Sequence, residues 1–362
     1  MGNLGTFIKG APLSKADITD EGTPFVLYGE LYTTYSEVTR SIKRRTDKAV
    51  EPQFYSKVGD VIMPTSGETP EDIATASCIM LPDVILAGDL LIYRTQKVDG
   101  RLVSFVVKNK VNKQISSVAQ GKSVVHVRAE ELSKIAISYP SDAEQQKILT
   151  MLELLEDKMA KQRELIEHLK KYKRGVVKAI FSGKLNLSAD YPFEFWENKA
   201  ICECLKYEQP QKYIVVTEKY DNSFTTPVLT ANKGFILGYT DEQQGIYDKG
   251  DVIIYDDFTM DMKYVTFNFK VKSSTIKMLT PTQGNDLYFM YSLLQSLELQ
   301  PEGHQRSYIS KVEPMIVQVP PYELQLQISK FLKNIDNRVV SAEKQLALLV
   351  TQKQGLMQGL FA

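Results

Sequence analysis

The chain has 362 residues, and its 44 basic side chains balance 44 acidic ones. A neutral total removes any global attraction to nucleic acid, so affinity for DNA has to come from local basic patches. Three cysteines without a complete set of metal ligands argue against a disulfide framework and a structural zinc site. The sequence has no apolar run of the ~20 residues that cross a bilayer and begins without a basic-then-apolar signal. We therefore expect a cytoplasmic protein.

Residues 1–134 read as a mixed α/β head with mostly short strands. The runs GDVIM (Gly59–Met63) and GDLLIY (Gly88–Tyr93) are apolar, rich in β-formers and entered through Gly-Asp turns. Basic residues that could meet phosphate cluster in two stretches: Arg40, Lys43, Arg44, Arg45 and Lys48 in one, and Lys108, Lys110 and Lys113 in the other. The alternative for each stretch is an ordinary solvated face.

A long helix follows this head. In PSDAEQQ, Ser141 and Glu144 have the spacing of a capping box behind Pro140, and Gly183 is suited to the helix end. The apolar positions between these signals keep a heptad spacing, which predicts a coiled-coil seam. Its members are Ile148, Leu152, Leu155, Met159, Ile166 and Leu169.

Residues 186–314 form a second mixed head. GDVIIY (Gly250–Tyr255) reads as a short strand, and KYVTFNFKV (Lys263–Val271) alternates like one half-exposed strand. The segment GHQRSYIS (Gly303–Ser310) offers several side chains that can read base edges. Lys263, Lys270, Lys272 and Lys277 are interleaved with Tyr264, Phe267 and Phe269 and could meet phosphate. The candidate DNA-binding residues of this head are Asn232, Lys233, Lys272, Gln305, Arg306 and Ser307.

The first helix is repeated at the end of the chain. Ile135–Phe181 aligns with Met315–Phe361 at a constant offset of 180 and without a gap. Matching positions include Pro140 with Pro320, Gln145 with Gln325, Ile148 with Ile328, Leu152 with Leu332 and Gly175 with Gly355. The second seam comprises Ile328, Leu332, Ile335, Val339, Leu346 and Leu349. A single apolar stripe is more often a core or dimerisation helix, but two equivalent stripes are most simply buried against each other.

The sequence offers no catalytic constellation. The histidines at 126, 168 and 304 are too scattered for a triad or a metal centre. AQGKS (Ala119–Ser123) lacks the first glycine of a phosphate loop, and VPPY (Val319–Tyr322) lacks the amide or carboxylate of an amino-methyltransferase motif. The pair Asp256-Asp257 has no nuclease-like lysine pattern around it. We expect a protein that binds rather than one that reacts.

The chain resembles the specificity subunits of bacterial type I restriction-modification enzymes over essentially its whole length. The resemblance rests on the two helix starts (Pro140, Gln145, Ile148, Leu152 and their repeats), on the Lys-x-Gly…Phe endings, and on LYGELYTTY and TPVLTANKGFILGYT in the heads. No single motif among these is specific for the family, but their order, which occurs twice in the chain, is specific.

The resemblance implies an α+β architecture with a pseudo-twofold internal repeat. Two mixed α/β target-recognition domains (1–140 and 186–320) would be separated by two long helices (141–185 and 321–362) that pair as an antiparallel coiled coil. Each domain would read half of a bipartite double-stranded DNA site. Two methyltransferase (modification) subunits would dock on this frame and restriction subunits would join them. S-adenosylmethionine and ATP would belong to those partners, so no cofactor is expected in this chain.

The residues themselves leave a second interpretation open. A non-enzymatic coiled-coil scaffold with two protein-binding heads would have the same repeat and no affinity for DNA. An overlooked enzyme is a further alternative. Salt dependence separates the first two, because phosphate binding weakens steeply with ionic strength and an apolar protein interface does not.

Overall fold

The computed structural model describes residues 1–121, 124–232, 234–301 and 305–361. The chain divides into two compact units. Unit 1 contains Met1–Gln162 and the C-terminal residues from Gln345 onward, and unit 2 contains Arg163–Lys344. Each unit therefore holds one head together with part of both long helices. We call the part of each unit that lies outside the two long helices head 1 and head 2.

The main sheet of head 1 has five strands in its described residues, in the order β1-β9-β5-β7-β3, and a second sheet has the order β4-β2-β8. The strands are β1 Gly5–Lys9, β2 Thr23–Leu27, β3 Val38–Thr39, β4 Arg44–Thr46, β5 Asp60–Pro64, β6 Ser66–Gly67, β7 Ser77–Ile79, β8 Ile85–Ala87, β9 Leu90–Thr95 and β10 Val125–His126. The helices are α1 Glu30–Thr33, α2 Pro70–Ile73, α3 Gly100–Asn109, α4 Asn112–Val118 and α5 Ala129–Lys134. Strands β6 and β10 form a short separate pair.

Head 2 contains β11 to β19, and its main sheet has the order β12-β18-β15-β16. The strands are β11 Glu197–Ala200, β12 Leu205–Glu208, β13 Thr226–Leu229, β14 Ile236–Thr240, β15 Val252–Asp256, β16 Met262–Val265, β17 Lys270–Val271, β18 Ile276–Pro281 and β19 Ile316–Val319. The helices are α7 Ile201–Cys204 and α8 Leu287–Ser296; the two long helices are α6 Asp142–Phe181 and α9 Tyr322–Phe361.

The two heads share most of their sheet topology; in the described residues, β3 of head 1, which pairs parallel with β7, has no counterpart in the main sheet of head 2. In head 1 the central β5 pairs antiparallel with β7 and β9, and in head 2 the central β15 pairs antiparallel with β16 and β18. The smaller sheets also correspond, since β2 pairs antiparallel with β4 and parallel with β8, as β13 does with β14 and β17. In each head an α-helix of ten residues follows the main sheet, α3 after β9 and α8 after β18.

Gly-Asp turns lead into β5, β9 and β15, as the sequence predicts. Gly59, Gly88 and Gly250 have φ of +94°, +81° and +90°, a region that side chains with a Cβ rarely adopt. The prediction of one strand over Lys263–Val271 is wrong. The chain leaves the main sheet after β16 and joins the smaller sheet at β17, so the segment between them pairs with neither.

Both long helices begin and end close to the predicted bounds. The Glu144 carboxylate accepts the Ser141 backbone N–H at 3.0 Å, as in a capping box, and Gly183 has φ of +71° just after α6. At 1.5 Å per residue, 40 residues make a helix of about 60 Å.

The helices run antiparallel within each unit. In unit 1, Gln162 bonds Gln345 at 3.2 Å and Lys353 pairs with Glu156. In unit 2, Lys170 pairs with Glu343 at 2.8 Å and Lys173 with Asp336 at 2.6 Å. In both units the partner number falls as the α6 number rises.

Nine of the twelve predicted seam residues are buried, and Ile148, Leu155 and Leu346 are half-buried. Near the heads the helices also join the head cores. Leu152 packs into the cluster of head 1, whereas Ile328, Leu332 and Ile335 pack into that of head 2. The apolar stripe of each long helix therefore packs partly against the other long helix and partly against the core of a head.

One buried glutamine repeats at the start of each long helix. Gln145 Oε1 accepts the N–H of Asp99, and Gln325 Oε1 accepts the N–H of Asp286. Their Nε2 groups donate to the carbonyls of Pro140 and Pro320. Since Asp99 and Asp286 cap α3 and α8, the same amide couples each head helix to its long helix.

Candidate nucleic-acid interface

Several loops meet at one end of head 2, where β13, β15 and β17 end. The Asp257 N–H donates to the Thr275 carbonyl at 3.0 Å, and the Ser307 N–H donates to the Asp257 carbonyl at 3.0 Å. The Thr259 hydroxyl donates to Asn232 Oδ1 at 3.1 Å. We call this group the head 2 strand-end cluster: Asn232, Asp257, Thr259, Thr275, Gln305 and Arg306. Loops on a rigid sheet are the usual place for recognition residues.

A buried ion pair holds the last of these loops. Asp257 Oδ1 accepts the N–H groups of Ser307 and Tyr308 at 3.0 and 2.8 Å. Its Oδ2 lies 3.3 Å from Lys277 Nζ, and the two side chains are 2% and 1% exposed. Lys277 also donates to Gln209 at 3.1 Å. Because a buried charge is tolerated only when paired and hydrogen-bonded, this arrangement fixes the backbone beside Arg306.

The candidate DNA-binding residues of GHQRSYIS divide into exposed and buried side chains. Gln305 and Arg306 are exposed. Ser307 is 3% exposed, and its hydroxyl donates to the Asp257 carbonyl at 2.8 Å and lies 3.0 Å from the Tyr255 hydroxyl. Burial raises the pKa of Tyr255 to about 12, so this phenol stays protonated. Ser307 therefore has a structural place, and we do not retain it as a DNA contact.

Two lysines of the basic run predicted to meet phosphate lie in the interior of head 2. Lys270 and Lys277 are 3% and 1% exposed and pair with Glu242 and Asp257. The prediction that these two residues contact DNA is therefore wrong.

The other candidates of head 2 are only partly brought together. Asn232 belongs to the strand-end cluster, and Lys272 begins the next loop, where its N–H donates to the Leu229 carbonyl at 3.0 Å. The Lys272 ammonium pairs with Glu218 at 2.6 Å, and this hydrogen bond raises its pKa. Lys233 lies outside the described residues.

Head 1 has an equivalent cluster, which the sequence analysis missed. The Thr65 N–H donates to the Asp89 carbonyl at 2.8 Å, and the Val127 N–H donates to the Thr65 carbonyl at 3.1 Å. These bonds match those of Asp257 in head 2 one for one. The Tyr32 hydroxyl donates to the Ser66 carbonyl at 2.5 Å and so joins α1 to β6, the elements that follow β2 and β5. In head 2 the bond from Thr259 to Asn232 likewise joins the loops that follow β15 and β13.

We call Tyr32, Thr65, Ser66, Asp89 and His126 the head 1 strand-end cluster. Ser66 Oγ donates to Asp89 Oδ2 at 3.3 Å and lies 3.1 Å from His126 Nδ1. Serine stands between the other two groups here, whereas in a hydrolytic triad histidine lies between the nucleophile and the acid. The geometry orients a histidine and does not activate a nucleophile.

The basic stretch predicted for head 1 meets this cluster only in part: Arg44 lines a cavity that also includes Asp89, and the stretch is otherwise engaged elsewhere. Arg40 pairs with Glu153 of α6, and Arg44 pairs with Glu30 at 2.8 Å. Arg45 donates to the Gly22 carbonyl at 2.7 Å, before β2 begins. Lys43 is exposed, and none of the described carboxylates pairs with its ammonium. Most of this stretch is engaged in local contacts within unit 1.

The numbering of the internal repeat, rather than any residue identity, relates His126 to head 2. The offset of 180 that relates the long helices also relates His126 to Arg306 and Val127 to Ser307. Residue identity is lost in this region, so the repeat is visible only in the backbone bonds. Taken as an isolated residue type, a lone histidine carried no such information.

The described residues contain no group of three or more His, Cys, Asp and Glu side chains arranged to hold a metal ion. None of their helices is long and apolar enough to span a bilayer.

Comparison with known proteins identifies the family. The model of the type I restriction modification DNA specificity domain matches residues 91–171 and 192–352, more than half of the chain. The chain belongs to this family. Each match begins within a head and extends into the long helix that follows it, so the family unit is present twice.

Two curated members of the type I specificity family resemble parts of this chain. The Type I restriction enzyme EcoR124I/EcoR124II specificity subunit of Escherichia coli is 46% identical over 124 residues, 33% of this chain and 31% of that protein. The MjaVIII specificity subunit of Methanocaldococcus jannaschii is 26% identical over 179 residues, 46% of this chain and 42% of that protein. The chain thus spans less than half the length of these curated relatives.

Solved structures of the type I system share the fold. The S subunit from M. genitalium matches all of this chain and 94% of its own, with a TM-score of 0.65 and 16% identity. A chain from a study of complex assembly and conformational transition of the type I R-M system matches 99% of this chain and 97% of its own, with a TM-score of 0.54 and 16% identity. At this identity the likeness concerns the fold alone.

Proposed function

We propose that this chain selects the DNA sequence for a type I restriction-modification complex, each head reading one half of a bipartite site. The observation that carries the proposal is the pair of strand-end clusters. Both are built by the same backbone hydrogen bonds at the ends of corresponding strands, yet they present different side chains. A shared frame with divergent loop residues is what two readers of different sequences require.

In this proposal the chain performs no chemistry. Methyl transfer and cleavage belong to partner subunits, two modification subunits docked on the helix pair and restriction subunits joined to them. S-adenosylmethionine and ATP are then bound by those partners. The relatives named above as specificity subunits of type I enzymes support this division of labour.

The test uses the chain in complex with its modification subunit and a duplex carrying the site mapped by methylation in cells. We expect specific binding whose log affinity falls linearly with log salt concentration, because lysines and arginines displace counterions from phosphates. A scrambled duplex of equal length is the matched control. Equal binding to both duplexes, or binding that salt does not weaken, would favour the protein-binding scaffold instead.

A further inference from the structure

His126 occupies the place in head 1 that Arg306 occupies in head 2. Each residue directly precedes the one whose N–H closes the bond to the loop after the central strand: Val127 to Thr65 in head 1, and Ser307 to Asp257 in head 2. Both His126 and Arg306 are exposed. The equivalence therefore rests on backbone geometry and on the constant offset of the repeat together.

The His126 ring is held in one orientation. Ser66 is 6% exposed, and its backbone is pinned because its carbonyl accepts from Tyr32. Its Oγ reaches both His126 Nδ1 and Asp89 Oδ2. Burial raises the pKa of Tyr32, so the phenol remains a donor.

The chain of hydrogen bonds also selects a tautomer. An ionised carboxylate only accepts, so the Ser66 hydroxyl donates its single proton to Asp89 and accepts from His126 Nδ1. In the neutral ring Nε2 then carries no hydrogen and offers a lone pair. Phosphate oxygens are acceptors too and cannot bond to it, whereas the amino groups of cytosine and adenine are donors.

We infer that His126 accepts a hydrogen bond through Nε2 from a base amino group of the first half-site, as the counterpart of Arg306 in head 2. This inference rests on the proposed function and names a specificity-determining residue within it. Ser66 and Asp89 act as positioning residues, since they fix the ring and its tautomer without reaching the DNA.

The experiment uses the complex with the modification subunit and a duplex library randomised across both half-sites. In His126→Ala we expect affinity for the preferred base at one position of the first half-site to fall about two- to tenfold, the value of one hydrogen bond. The second half-site and the salt dependence should stay as in the wild type, because no phosphate contact is lost. Ser66→Ala should relax the same position by a smaller factor.

Two reference variants complete the design. Gln96→Ala, an exposed neutral side chain directly after β9 and at the opposite end of that strand from Asp89, should leave both half-sites unchanged. Arg306→Ala should affect the second half-site only. Retention of every first-half preference in His126→Ala would overturn the inference, and so would a uniform loss for all sequences with a shallower salt dependence, which marks a phosphate contact. A wild-type complex without base preference in either half-site would instead contradict the proposed function.

Discussion

Heads 1 and 2 share their backbone but differ in what lies beneath the strand-end cluster. Head 2 places the buried Asp257–Lys277 ion pair there. The corresponding positions are the first residue after the central strand and the second residue of its partner strand, β18 in head 2 and β9 in head 1, and there head 1 has Thr65 and Leu91. A charged anchor in one head and a neutral one in the other support the same main-chain hydrogen bonds. Backbone bonds can thus preserve a loop frame while the side chains around it change.

The helix-proximal side of each head shows the opposite behaviour. Gln145 and Gln325 are 2% and 1% exposed and make the same pair of hydrogen bonds in their own units. The repeat is therefore strict where a head meets its long helix and relaxed at the loops. We infer that the contacts between a head and its long helix are kept constant, whereas the loops proposed to contact DNA differ between the heads.

The largest expected effect concerns the charged anchor. Lys277→Met removes one partner of a buried pair and leaves the Asp257 carboxylate uncompensated, which should lower the free energy of unfolding of unit 2 by about 3–5 kcal/mol. Hydrogen exchange resolved by residue should show faster opening across head 2, including the loop that carries Arg306. The matched variant in head 1, Leu91→Met, conserves an apolar side chain and should cost less than about 1.5 kcal/mol. Equal losses in both heads would remove the distinction between their anchors.

A smaller effect tests the shared frame. Gln145→Ala and Gln325→Ala each remove two hydrogen bonds from a buried side chain to the backbone, and at about 0.5–1.5 kcal/mol per bond each should destabilise its own unit by about 1–3 kcal/mol. The two losses should agree closely, because the contacts are the same. Gln327→Ala, an exposed neighbour on α9, should change stability by less than about 0.5 kcal/mol. Thermal or denaturant unfolding followed separately in each unit measures all three, and a large loss at only one glutamine would break the symmetry.

Local signals in the sequence were sufficient to predict the two long helices and the turns that lead into the strands. The heptad spacing, the Ser141–Glu144 box and the Gly-Asp turns act over a few residues, and the structure confirms them. The common topology of the heads was not predictable in this way. It depends on pairings between strands distant in sequence, such as β1 with β9, for which neither periodicity nor composition contains a register.

The candidate site was predicted in part for the same reason. Asn232 and Arg306 stood out as polar loop residues, and both lie in the head 2 cluster. Arg44 and Ser307 also stood out, but a charge or a hydroxyl in the sequence does not reveal that Glu30 or Asp257 already engages it. His126 was overlooked because its significance depends on Ser66, sixty residues earlier in the chain.

The central claim is that the heads are independent readers on one repeated frame. Methylation mapping in cells tests it most directly, with residues 1–134 replaced by the first head of another family member and the rest of the chain unchanged. The account predicts that the first half-site changes to that of the donor while the second half-site keeps its sequence. Loss or alteration of both half-sites together would contradict it, because the two heads would then form a single reading site.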